Sequence, residues 1–168
     1  NGVRLGVVNL SGSLFMTAGR PALVEVDSAL REVREADVVL VDMHAEATSE
    51  KVALGWYLDG RVTAVVGTHT HVPTNDARVL PGGTAYISDA GMCGDYNSVL
   101  GMDIEEPINR FITKIPRQRF EPATGPATIS GFAVDIDDQT GLASKCGALR
   151  IGPHLEPSVP TFWEGNGQ

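Results

Sequence analysis

The chain of 168 residues is poor in cysteine, in aromatic residues (6%) and in long apolar runs. No 18 consecutive apolar residues occur, so no membrane-spanning helix is expected. The first residues lack the basic and continuously apolar regions of a secretory signal. Cys93 and Cys146 do not form a CxxC pair. Reduced thiols in a cytoplasmic protein are the expected state. Positive charge is also scarce: 13 Lys and Arg stand against 21 Asp and Glu, a net charge of −8. That balance gives no electrostatic footprint for double-stranded nucleic acid or an anionic membrane. A small phosphate substrate is still allowed, because a bound cation reverses the local field. The one basic cluster, Lys114-Ile115-Pro116-Arg117-Gln118-Arg119, reads as a solvated loop and strand edge. GxSxG, Walker and GxGxxG patterns are absent.

Glycine (19) and proline (10) are plentiful, so turns and close backbone approaches are frequent. The length suits one domain with a real core. Residues 1–151 read as that domain, and 152–168, with Pro153, Pro157 and Pro160, as an extended or disordered tail. The chain starts at Asn1, without Met and directly on an apolar stretch, as if cut from something longer. The pattern predicts a strand over 3–10, a loop over 11–20 holding Gly12 and Gly19, and a helix from Pro21 to about Ala36. A strand over 38–41 follows, then a helix capped by Thr48 or Ser49 with Val52, Ala53, Trp56 and Tyr57 inward, and a strand over 62–66. This alternation predicts an α/β fold with a mainly parallel sheet. The second half predicts a hairpin over 78–88, a Gly-rich loop over 89–101 and a helix over 104–114. Strands are predicted over 117–121, 127–135 and 142–151.

Three of the four histidines sit just past apolar strands: His44 after Val38–Met43, and His69 and His71 after Val62–Val66. Sites of parallel sheets form at such carboxyl ends. On an extended backbone, residues i and i+2 project to one side, so His-x-His can face one metal or bridge two. Imidazole suits zinc, iron and manganese. Asp42 and Glu46 flank His44 and are candidates for orienting an imidazole; Asp76 and Asp89 are nearby carboxylates. The Gly91–Gly101 run is a weaker candidate for a phosphate cradle. His154 reads as a structural surface residue. On spacing alone, a mononuclear zinc hydrolase with three histidines is one reading, and a binding or assembly module without catalysis is another.

The stretches Val41-Asp42-Met43-His44-Ala45-Glu46, Val65-Val66-Gly67-Thr68-His69-Thr70-His71-Val72 and Gly83-Thr84-Ala85-Tyr86-Ile87-Ser88-Asp89-Ala90-Gly91-Met92, with Asn9-Leu10-Ser11-Gly12, narrow the choice. They resemble the YmdB-like metallophosphoesterases, a 2′,3′-cyclic-nucleotide 2′-phosphodiesterase family of the calcineurin-like superfamily. The resemblance covers most of residues 3–151 and implies that superfamily's α/β-β/α sandwich, here its carboxyl-terminal portion. It implies two divalent metal ions, iron or manganese with zinc as the alternative, held in part by His44, His69 and His71. A small phosphodiester substrate and a homo-oligomer are implied too. The family's amino-terminal motifs, among them its proton-donor histidine, do not occur in the chain, so no catalytic residue is assigned.

Overall fold

The computed structural model describes residues 2–16 and 20–164. Residues 17–19 of the predicted loop and 165–168 of the predicted tail lie outside the described residues. The elements are β1 (Leu5–Ser11), α1 (Ala22–Glu32), β2 (Val38–His44), α2 (Thr48–Leu58), β3 (Ala64–Thr68), β4 (Arg78–Val79), β5 (Ala85–Ile87), α3 (Glu105–Thr113), β6 (Ile129–Ile136), β7 (Ala143–Ile151) and α4 (Thr161–Glu164). Five strands form one sheet in the order β1-β2-β3-β5-β4. The first four are mutually parallel, and β4 pairs antiparallel with β5. β6 and β7 form a separate antiparallel hairpin. The fold is therefore mixed α/β around a largely parallel sheet, as the strand-helix alternation predicts.

Val8, Leu10, Val41, Met43 and Val65 pack against Val26 of α1 and Leu54 and Leu58 of α2 on one face of the sheet. On the other face, Ala64 and Ala85 meet Ala143, Phe132 and Val134 of the hairpin. Central strands are thus covered on both sides, which explains their continuous apolar runs. Among the described residues no helix is long and apolar enough to cross a membrane. Cys93 and Cys146 are free thiols.

Several expected boundaries and faces change. Helix α1 stops at Glu32, because Val33 N–H turns back to the Leu30 carbonyl and Asp37 and Val38 N–H bond the Arg4 carbonyl. Helix α2 starts from Ala47, with no side-chain cap. Its buried stripe is Lys51, Leu54, Gly55 and Leu58, leaving Trp56 and Tyr57 exposed rather than inward. Gly55 sets this rotation: a Cβ there would stand 2.6 Å from the Tyr86 ring, so Tyr86 fills the place expected for the α2 aromatics. The predicted strand over 117–121 does not form. Pro116 and Pro122 flank it, and its backbone is tied to α3 instead, Arg117 N–H to Glu106 and the Gln118 carbonyl to Arg110. In the stretch expected as a tail, Ser158 pairs with Arg150 and α4 follows.

Strand β3 ends two residues later than expected, which brings Gly67 into the sheet. A Cβ at Gly67 would overlap the Ser88 carbonyl oxygen and lie 2.9 Å from Lys51 Cδ. Gly67→Ala is expected to cost about 3 kcal/mol or more, the upper end of overpacking effects. A urea-unfolding midpoint equal to that of the unsubstituted protein would refute this.

Candidate functional site

Strands β2 and β3 run side by side, with Asp42 opposite Val66 and His44 opposite Thr68. Their carboxyl ends therefore deliver His44, the last residue of β2, and His69, the first after β3, to the same edge. Thr68 Oγ1 donates to Asp42 Oδ1 at 2.8 Å and lies 3.0 Å from His44 Nδ1. A hydroxyl has one hydrogen, and this one is committed to Asp42. His44 must then donate from Nδ1, so in the neutral ring Nε2 carries the lone pair. Asn9 Nδ2 donates to the second oxygen of Asp42 at 2.6 Å and fixes the carboxylate. The bare Nε2 faces His69 Nδ1 at 3.1 Å, the two rings standing edge to face with centroids 4.8 Å apart. Glu46 Oε2 lies 3.1 Å from His69 Nε2.

His71 departs from this cluster. The backbone past β3 is not extended: φ is +102° at His69 and +66° at His71, both in the region that side-chain-bearing residues rarely adopt. The i, i+2 rule therefore fails, and His71 Nδ1 donates to the Leu100 carbonyl at 3.1 Å instead. Strain of this kind persists only where surroundings over-determine it. Here Asp89 does so, accepting Thr70 N–H at 3.0 Å and Thr70 Oγ1–H at 2.8 Å, between the two strained histidines. Asp89 also accepts Gly91 N–H and Lys51 Nζ, each at 2.9 Å. Both members of the Lys51–Asp89 pair are buried. Burial alone pushes the Asp89 carboxyl up, but the ammonium and these N–H and O–H donors hold it below its ordinary value.

Asp76 stands apart from the histidines. Burial raises its carboxyl, yet Ser88 and Thr74 hydroxyls and the Ser88 N–H outweigh that and lower it. In the Gly-rich loop the glycine N–H groups that a phosphate cradle would use are engaged within the protein: Gly91 by Asp89, Gly94 by Thr128 and Gly101 by Ser98. His154 lies 3.7 Å from Asp95, away from the other histidines.

The arrangement offers two imidazoles and a carboxylate, donor types that serve iron, manganese and zinc. Among the described residues, no group of three or more His, Cys, Asp or Glu side chains is gathered so as to hold a metal ion. Sequence reasoning missed Thr68 and Lys51. Thr68 acts through strand register, which the residue order alone does not display. Lys51, next to Glu50 on a helix, carries the ordinary signature of a solvated position.

The family model described as "YmdB-like protein" matches residues 1–149. A Bacillus subtilis protein named 2′,3′-cyclic-nucleotide 2′-phosphodiesterase is 52% identical over 152 residues, which is 90% of this chain and 57% of that protein. A crystal structure from Thermus thermophilus, titled as a hypothetical protein, superposes with TM-score 0.77 at 42% identity, covering 88% of this chain and 57% of the other. A crystal structure titled as a novel phosphatase of Mycoplasma pneumoniae gives TM-score 0.77 at 38% identity, covering 87% and 52%. The chain thus spans a little over half the length of the relatives it matches.

Proposed function

The chain belongs to the YmdB-like protein family, and from that premise we propose that it serves the hydrolysis of 2′,3′-cyclic nucleotides or related small phosphodiesters. The observation that carries this reading is the Asp42–Thr68–His44 relay, which presents a bare imidazole nitrogen beside His69 at the carboxyl edge of a parallel sheet. The name of the 52% identical relative supports the substrate class. His44 Nε2 and His69 would supply part of the ligand set for a divalent cation, iron or manganese, with zinc as the alternative, and Glu46 would orient His69; the described residues gather no third ligand beside the two imidazoles. The family resemblance adds His71 and a second ion. Bound cations supply Lewis-acid polarisation of the phosphoryl oxygens and neutralise charge developing on them.

The chain's own residues orient this chemistry. Asp42 and Thr68 fix the His44 tautomer and ring plane. Lys51 and Asp89 hold Thr70 and with it the strained turn that sets His69. Hydrolysis would break the bond from phosphorus to the 2′ oxygen and leave a 3′-phosphate. Incubation with 2′,3′-cyclic AMP and Mn²⁺ or Fe²⁺, followed by separation of 2′- and 3′-phosphates, tests the reading. Exclusive formation of the 2′-phosphate would sink it.

Thr68→Val keeps the shape of the side chain but cuts His44 from Asp42. A 10–100-fold loss of Mn²⁺ affinity is expected, roughly the usual cost of removing a group that orients a ligand. Unchanged affinity by titration calorimetry would refute the relay.

A further inference from the structure

A cavity of about 430 Å³ opens beside the histidine loop, with His71 in its wall. We propose that this cavity receives the nucleobase of a nucleoside phosphodiester, a proposal that rests on the phosphodiesterase reading above. Its volume falls within the range of small-ligand sites. The walls are Leu100, Phe111 and Phe120, with Arg110 and Lys114 among them. The apolar part of this lining accepts an uncharged planar heterocycle, which loses little hydration there.

The stacking surface is built and rigid. The Arg110 guanidinium lies 3.9 Å over the Phe120 ring. Its charge is already committed: Nε donates to Glu106 at 2.6 Å and Nη2 to the Gln118 carbonyl at 2.5 Å. Glu106 is buried and also accepts Arg117 N–H at 3.1 Å, so the guanidinium plane cannot swing out to meet an anion. An arginine held in this way offers a flat π surface, and bases stack on aromatic and guanidinium planes without regard to sequence. Phe120 keeps 47% of its surface exposed, enough to meet a base.

The cavity shares His71 with the histidine loop. His71 Nδ1 donates to the Leu100 carbonyl, and Leu100, at φ +54°, shares the left-handed strain of His69 and His71. A base held here would lie on the His71 side of the loop whose other histidine pairs with His44. The ribose would bridge from that base to a phosphodiester at His69. Lys114, 5.7 Å from the Phe111 ring centre, supplies a cation near the aromatic wall.

Titration calorimetry with adenosine 3′-phosphate and with ribose 3-phosphate, on the 168-residue chain, tests the assignment. The nucleotide is expected to bind at least about 10-fold tighter, the size of one base–aromatic stack. Phe120→Ala and Phe120→Leu should each remove that difference and leave ribose 3-phosphate affinity unchanged, with circular dichroism unaltered. Equal affinity for the two ligands, no measurable nucleotide binding, or equal losses for both ligands in the variants would overturn the proposal. So would light scattering that finds a dimer, split by Phe111→Ser, with nucleotide binding gained only on splitting, since a second copy would then fill the cavity. Base-dependent binding with exclusive formation of the 2′-phosphate fells the phosphodiesterase reading alone. Turnover without base preference fells the cavity assignment alone.

Discussion

Replacing Lys51 by Met is expected to lower the stability by about 3–5 kcal/mol, because it leaves the Asp89 carboxylate buried without its cation. For a chain of this size that corresponds to a fall in Tm on the order of 10 °C. Both side chains are 2% exposed and their charged atoms lie 2.9 Å apart. The remaining donors to Asp89, Thr70 and Gly91, satisfy its lone pairs but carry no full charge. The acid limb should change too. Asp89 is held below its ordinary carboxyl value, so its contribution is complete above about pH 4, where the unfolded side chain ionises, and is lost as pH falls through the lower folded value. Without Lys51 the folded value rises, and acid unfolding should begin at higher pH. Lys51→Met with Asp89→Asn should recover part of the loss, since a neutral amide no longer needs a cation. A Tm within about 2 °C of the unsubstituted protein for Lys51→Met, well inside the shift expected for losing a buried pair, would refute the role given to it.

That pair marks the boundary of what the residue order reveals. Two apolar runs ending at His44 and just before His69 place both imidazoles at one sheet edge, because parallel neighbours expose their carboxyl ends together. Strand positions, the hairpin over β4 and β5 and the existence of α1, α2 and α3 follow from periodicity in the same way. The relay through Thr68 does not, since it depends on β2 and β3 pairing His44 with Thr68 and not with a neighbour one place away. The divergence of His71 is hidden for a different reason: positive φ at two histidines is enforced by Asp89, which is 20 and 18 positions further along the chain. The inward face of α2 is hidden because aromatic residues dominate its pattern, whereas the small Gly55 decides which side can approach Tyr86. The missing strand over 117–121 has the same logic. Its β-compatible residues are outweighed by two flanking prolines and by the buried Glu106 that claims Arg117 N–H.

His44→Ala and His69→Ala should each abolish stoichiometric Mn²⁺ or Fe²⁺ binding and cut cyclic-nucleotide turnover by at least about 100-fold. The floor for that figure is the roughly 10–100-fold cost of losing only an orienting partner, and a ligand itself must matter more. His44 is the sharper case. Its Nδ1 is bound to Thr68, so Nε2 is the one nitrogen it can offer to a cation, and alanine leaves the Asp42–Thr68 bond with nothing to orient. His69 stands 3.1 Å from both His44 Nε2 and Glu46, so its loss also separates the imidazole from the carboxylate. Elemental analysis of the purified variants, alongside product separation, reads the two effects independently. Full metal content with lost turnover would move these histidines from ligand to proton transfer. Full turnover would remove them from the site. His71→Ala then decides how far the cluster extends: retained metal would confine the ligands to the β2–β3 edge, whereas lost metal would require the loop past Thr70 to reorganise when a cation binds.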